Sequence, residues 1–278
     1  MGVNVAKIKS ETLLFLLIIF LIGAFIELTY GSAVIGAIFL CVCAGILFIL
    51  SGREAKAERK ASKLLIAVGA ALIVADLSYN YLLGSAVQTL DSMIILLGGS
   101  LILANTRDKR LCELGAFSTY MSLFFIVFFA ALYVIPSRFD IGIPKYYGHY
   151  FVALPVSSVL RALGLRLDVP TMNVIEVRGV EPVWLRMDLA CFGWYSMLLI
   201  ISTLLAYDLT IKSYERRKLL KILAIMTVAS YAANLLRVST LAVIAYYYGV
   251  DMMMFFHSHL GWILFAAILI PLMYIFLK

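Results

Sequence analysis

Apolar residues gather along this chain in eight long runs, at about 12–30, 32–50, 64–83, 86–105, 114–136, 187–207, 220–247 and 256–277. Each is near the ~20 residues that a helix needs to cross a bilayer core, so the pattern predicts eight transmembrane helices. The polar connections carry an orientation signal. Short basic loops fall at Arg53–Lys63, Arg107–Arg110 and Lys212–Lys221, and such loops stay on the cytoplasmic side. Placing all three there puts both termini in the cytoplasm, which an even number of spans satisfies. Lys7, Lys9 and Lys278 then lie on that same side. The run at 12–30 follows two lysines as a signal peptide would, but it passes into the next run without a convincing cleavage site and reads as a span.

One connection differs from the rest. Residues 137–185 form a long outer segment with Pro144, Pro155, Pro170 and Pro182. Its first part, Tyr146–Leu165, mixes aromatic and aliphatic residues with Arg161, as a helix lying at the interface does. Its second part, Asn173–Glu181, alternates polar and apolar residues and predicts a small hairpin. The fold expected is an all-α polytopic bundle in one integral-membrane domain, 1–278. Within it, 1–136 supplies five supporting helices, 137–185 the extracytoplasmic loop, and 186–278 three helices that carry the chemistry.

Composition agrees with that reading. Of 278 residues, 64% are hydrophobic and 14% charged, against about 25% charged in a soluble domain, and the mean hydropathy is +1.01. So much apolar surface is stable only in lipid. The net charge of +7 lies in the loop clusters, which is topology and not a nucleic-acid stripe. Cys41 and Cys43 are two apart in one run, face nearly opposite sides of a helix and cannot bridge. No cysteine or histidine spacing suggests zinc, and neither metal nor cofactor is expected. Asp76 and Asp91, within apolar runs, read as satisfied or interfacial polar groups in preference to a proton relay.

Three reactive side chains reach one depth. Cys191 follows Arg186 by five residues, roughly 7 Å inside the outer boundary at ~1.5 Å per residue. Arg237 is fifteen residues beyond Ile222, ~22 Å into a core of ~30 Å. His257 opens the last run, at the outer edge. Each has an ordinary reading: a packed thiol, an arginine whose head snorkels outward, an interfacial histidine. Arginine within hydrocarbon nevertheless costs at least ~2.5 kcal/mol and marks a partner or a function. Together the three supply a nucleophile, a base to deprotonate it and a cation for an oxyanion. Gly193 and Gly261 leave room for a peptide or for close helix approach.

At these residues the chain resembles the exosortase/archaeosortase family of membrane-embedded cysteine transpeptidases. The matching blocks are Ala190-Cys191-Phe192-Gly193, Asn234-Leu235-Leu236-Arg237-Val238 and His257-Ser258-His259-Leu260-Gly261-Trp262. They are similar to the family's cysteine-x-glycine, asparagine-x-x-arginine and histidine-x-x-x-glycine signatures, in the same order. The resemblance implies an enzyme that cleaves a C-terminal sorting signal of exported proteins, made of a short motif, a transmembrane helix and a basic tail. The route implied is a thioacyl-enzyme and transfer to an acceptor, often a lipid. By the same resemblance Cys191 is the nucleophile, His257 the general acid/base and Arg237 the stabiliser of oxyanion or thiolate. Phe192 departs from the small polar residue common before the glycine.

Other assignments stay open on the sequence. His259 lies ~200° around a helix from His257, so one of the two faces Cys191, and the spacing to Gly261 favours His257. Asn234 either orients a catalytic group or makes an interhelical hydrogen bond. Asp188 either holds Arg237 or His257 or caps a helix start. Two rivals remain. One is a transporter or channel with Arg237 in a polar pathway, and the other is a hydrolytic membrane protease that releases its product to water.

Overall fold

The computed structural model describes residues 62–84, 87–189 and 191–277. The expected spans at 12–30 and 32–50, with Cys41 and Cys43, lie outside the described residues. The chain divides into two compact units, 1–126 with 205–213 and 127–204 with 214–278.

In the first unit, α1 (Lys63–Leu83) and α2 (Thr89–Ala104) are joined by a short connection. They cross where Gly69 and Gly98 face each other. A Cβ on either would overlap the other's carbonyl oxygen, so hydrogen at these positions lets the two backbones touch. The start of α3 (Lys109–Phe129) joins them through Thr119, whose hydroxyl meets that of Ser100 at 3.0 Å, and through the Cys112 thiol, 2.9 Å from Ala104 O. Asp91 caps α2 by accepting the Gln88 N–H at 2.6 Å. Asp76 is buried in α1 beside it and beside Asn80.

The second unit holds the expected outer segment. Beyond α3 the helix continues through a π-helical turn, Ala130–Val134, into Ile135–Arg138. Next come α4 (Ile143–Tyr147), a π-helical stretch Gly148–Ala153 and α5 (Leu154–Ala162), in the interval where the sequence predicts a helix. Pro155 has no N–H for Phe151 O four residues earlier. The Tyr231 hydroxyl donates to that carbonyl instead, at 2.7 Å.

The strict all-α expectation is corrected here. The interval 173–181, expected as a small hairpin, holds a single strand and the turn after it, within a three-stranded antiparallel sheet: β1 (Leu167–Thr171), β2 (Val174–Arg178) and β3 (Pro182–Arg186), in the order β1-β2-β3. Register pairs Leu167 with Val177, Ile175 with Leu185 and Val177 with Val183. Asn173, at φ 64°, makes the left-handed turn that asparagine tolerates. Alternation puts Leu167, Ile175, Val177, Val183 and Leu185 on the buried face. They pack on Val152, Val156 and Leu160 of the outer helices and on Val238, Leu241, Ala242 and Ala245 further along the chain.

The last elements are α6 (Trp194–Thr210) and α7 (Arg216–Leu277). The latter is two helical limbs broken at Gly249, with φ 80° and ψ −174°. Among the described residues three helices are long and apolar enough to cross a membrane: Lys63–Leu83, Lys109–Arg138 and Arg216–Phe276. The runs at 86–105 and 187–207 give shorter apolar helices, Thr89–Ala104 and Trp194–Thr210. The expected run 187–207 loses its first turn, because Asp188 O accepts the N–H groups of Cys191 and Phe192 at 2.9 and 3.0 Å and Gly193 turns left-handed at φ 75°.

Candidate active site

Cys191 therefore sits in a turn ahead of α6 and not within a helix, where the apolar pattern places it. It is buried, with 8% of its surface exposed. The turn is built by Asp188, whose backbone carbonyl takes two N–H groups and whose carboxylate lies 3.3 Å from the Cys191 N–H. The Asp188 carboxylate caps this turn, and its charge also acts on Arg237 and His257.

The turn is then pinned to the first limb of α7. Asn234 Nδ2 donates to Cys191 O at 2.9 Å in a buried contact. One turn earlier on that limb, Ser230 Oγ meets Ser196 Oγ at 3.2 Å, and Ser196 donates to Gly193 O at 2.8 Å. This bond joins two elements and also holds the backbone of the candidate nucleophile, so it accords with both readings left open for Asn234. Ser196 and Ser230 do not stand out in the sequence by themselves. A signal was present, since Ser230, Asn234 and Arg237 at i, i+4 and i+7 share one helical face.

Gly193 does more than make room. Its φ is left-handed, and a Cβ there would lie 2.5 Å from Asn234 Cγ and 2.7 Å from Asn234 Cβ. Glycine is demanded by conformation and by space at once. Gly261 serves another neighbour, since a Cβ on it would lie 3.2 Å from Arg237 Nε and 3.3 Å from Cζ. The absent side chain leaves a berth for the guanidinium between the two limbs.

Arg237 is the common neighbour of the reactive groups. Its Nη2 reaches His257 O at 3.5 Å, and its charge acts on both Cys191 and His257, as does that of Asp188. His259 is engaged elsewhere, with Nδ1 2.9 Å from Phe255 O and from Ser258 Oγ. The charges of both Arg237 and Asp188 act on His257. The Cys191 thiol lies outside the helices long enough to span a membrane. Burial, reinforced by the Asp188 carboxylate and opposed by Arg237, pushes it up to about 11, so at neutral pH it rests as a protonated thiol.

Phe192 has a structural account as well. Its ring belongs to an aromatic cluster with Tyr147 and Trp194, at centroid separations of 6.1 and 5.8 Å, and Tyr147 and Trp194 lie 5.1 Å apart. Gly148 leaves the space the ring fills, since a Cβ there would overlap Phe192 Cε1. The cluster anchors the Cys191 turn against the outer helices.

Compared with known families, residues 64–274, well over half of the chain, match the family model described as transmembrane exosortase. No curated protein and no solved structure matches the chain.

Proposed function

The chain belongs to the transmembrane exosortase family, and from that premise we propose that it is a cysteine transpeptidase that processes exported proteins at the extracytoplasmic face. Its substrate is a C-terminal sorting signal: a short motif, a transmembrane helix and a basic tail. The observation that supports this most is the Cys191 turn, closed by Gly193, tied through its carbonyl to Asn234, and lying in the field of an arginine that a neighbouring glycine admits.

The chemistry starts from the resting state. A thiol held up to about 11 is a poor nucleophile until its proton leaves, so deprotonation accompanies attack. His257 takes the Sγ proton as sulfur bonds to the scissile carbonyl carbon. The oxyanion that forms gains the positive charge of Arg237, whose interaction is strongest when negative charge is greatest. Collapse breaks the C–N bond, and the departing amine takes the proton from His257, leaving a thioester on Cys191. An acceptor hydroxyl or amine then attacks that thioester, gives its proton to His257, and receives the acyl group as the thiol is reprotonated. A lipid headgroup is the acceptor proposed.

Co-expression with a reporter ending in a candidate sorting signal tests the reading. Cys191→Ala and Cys191→Ser are expected to leave the reporter at full length. Processing at the wild-type rate in Cys191→Ala refutes it. Mass spectrometry of the new C-terminus separates transfer, which leaves an added acceptor, from hydrolysis, which leaves a free carboxylate.

A further inference from the structure

The break in α7 lies between two groups of the candidate site. Arg237 is on the limb before Gly249, and His257, with Gly261, is on the limb after it. Whatever sets the angle at Gly249 therefore sets where the imidazole stands relative to the guanidinium.

A break in a helix strands backbone groups on both sides, carbonyls at the end of the first limb and N–H groups at the start of the second. Here the tip of the β2–β3 hairpin, Gly179-Val180-Glu181, serves both. Val180 N–H donates to Tyr246 O at 2.9 Å, occupying a terminal carbonyl of the first limb. Glu181 Oε1 accepts the Val250 N–H at 2.6 Å, at the first residue of the second limb. A carboxylate there also meets the positive end of the helix dipole. The approach is close: a Cβ on Gly179 would overlap Tyr246 O, and one on Gly249 would lie 2.6 Å from Glu181 Oε1. The sheet behind the tip is packed into the core, with Ile175 and Val177 fully buried.

We infer that Glu181 is a positioning residue for the transpeptidase reaction, a clamp on the Gly249 break that holds the His257 limb at its working angle to the Arg237 limb. This rests on the function proposed above. The lever is long enough to matter. His257 stands eight residues beyond Gly249, ~12 Å at 1.5 Å per residue, so a change of roughly 10° at the break moves it by ~2 Å. A misplacement of about 1 Å can cost on the order of 10²-fold in rate.

The test compares Glu181→Ala with Glu181→Gln, which keeps an acceptor oxygen and removes the charge, using pulse–chase processing of the same reporter. Glu181→Ala is expected to lower the rate at least ~10-fold, with Glu181→Gln restoring it to within about threefold of wild type. A second measurement needs no turnover. Spin labels at the exposed positions Val228 and Tyr274, one on each limb, are placed in a background with the native cysteines replaced by serine, and their separation is read by pulsed electron resonance. Glu181→Ala is expected to shift or broaden that distance, and Glu181→Gln to preserve it. Wild-type processing and an unchanged distance in Glu181→Ala overturn the inference while leaving the transpeptidase intact. Normal processing in Cys191→Ala sinks the enzyme reading, and the distance measurement then still decides whether Glu181 sets the break.

Discussion

Replacing Gly193 by alanine adds one methyl group to the turn that carries Cys191, the proposed nucleophile. The residue holds φ 75°, and an L side chain in the left-handed region costs roughly 1–2 kcal/mol. The new Cβ would lie 2.5 Å from Asn234 Cγ, closer than carbon atoms approach, so the amide must move away. Asn234 is 5% exposed and gives its Nδ2 hydrogen to Cys191 O. Leaving a buried polar group without its partner costs about 1–3 kcal/mol. Together these give about 2–5 kcal/mol, and the anchor of Cys191 is lost with them. The processing rate of the reporter is expected to fall on the order of 10²-fold, as for a reacting atom displaced by about 1 Å. The double variant discriminates the cause. In an Asn234→Gly background both contacting carbons, Cγ and Cβ, are absent, so Gly193→Ala adds only its backbone strain. The two losses are then non-additive by about 1–2 kcal/mol. Rates measured by pulse–chase for both singles and the double, with thermal stability of the detergent-extracted protein as a control for folding, complete the cycle. Strictly additive losses, or a Gly193→Ala enzyme within twofold of wild type, would refute the idea that Gly193 and Asn234 hold the sulfur together.

Gly261→Ala is expected to be milder, roughly 2–10-fold in rate, because its Cβ would stand 3.2 Å from Arg237 Nε, where a shift of a few tenths of an ångström suffices. Alanine in a helix is also favoured over glycine by ~1 kcal/mol, so thermal stability should hold or rise while activity falls; a matching loss of both would point to packing instead. The Cys191 thiol, pushed up to about 11 by burial and the Asp188 charge, should react with an uncharged maleimide ~10²-fold more slowly at pH 8 than a free thiol of pKa about 8.5. Because the shift is upward, the rate should keep rising about tenfold per pH unit past pH 9, where an ordinary thiol levels off. Asp188→Asn should move that rise to lower pH and Arg237→Gln to higher pH; a plateau near pH 9 in the wild type would remove the thiol from its buried setting.

Helix placement was legible in the sequence, as were the residues whose charges and contacts converge on Arg237. Cys191, Arg237 and His257 stand out because charged and nucleophilic groups in apolar runs are costly unless partnered, and every described interval predicted as helix contains one. Conformation at single residues was not legible. The run at 187–207 reads as one helix because Met187, Leu189 and Ala190 are as apolar as the residues after them. Only the hydrogen bonds to Asp188 and the left-handed Gly193 move Cys191 off the helix and into a turn. The sheet reads as a hairpin because β2 alternates cleanly, whereas β1 carries Pro170 and an irregular register between Asp168 and Thr171, which breaks the period that marks a strand.

The same limit explains the two glycines of the signature blocks. From spacing alone Gly193 and Gly261 look equivalent, small residues that open space for a substrate. Their neighbours separate them: one lies against the amide that holds the Cys191 carbonyl, the other against the Arg237 guanidinium. Both spaces are filled by the protein itself. The glycines thus set the positions of Asn234 and Arg237 before any peptide arrives. A site ordered in this way has little reorganisation left to perform when charge develops on the substrate oxygen.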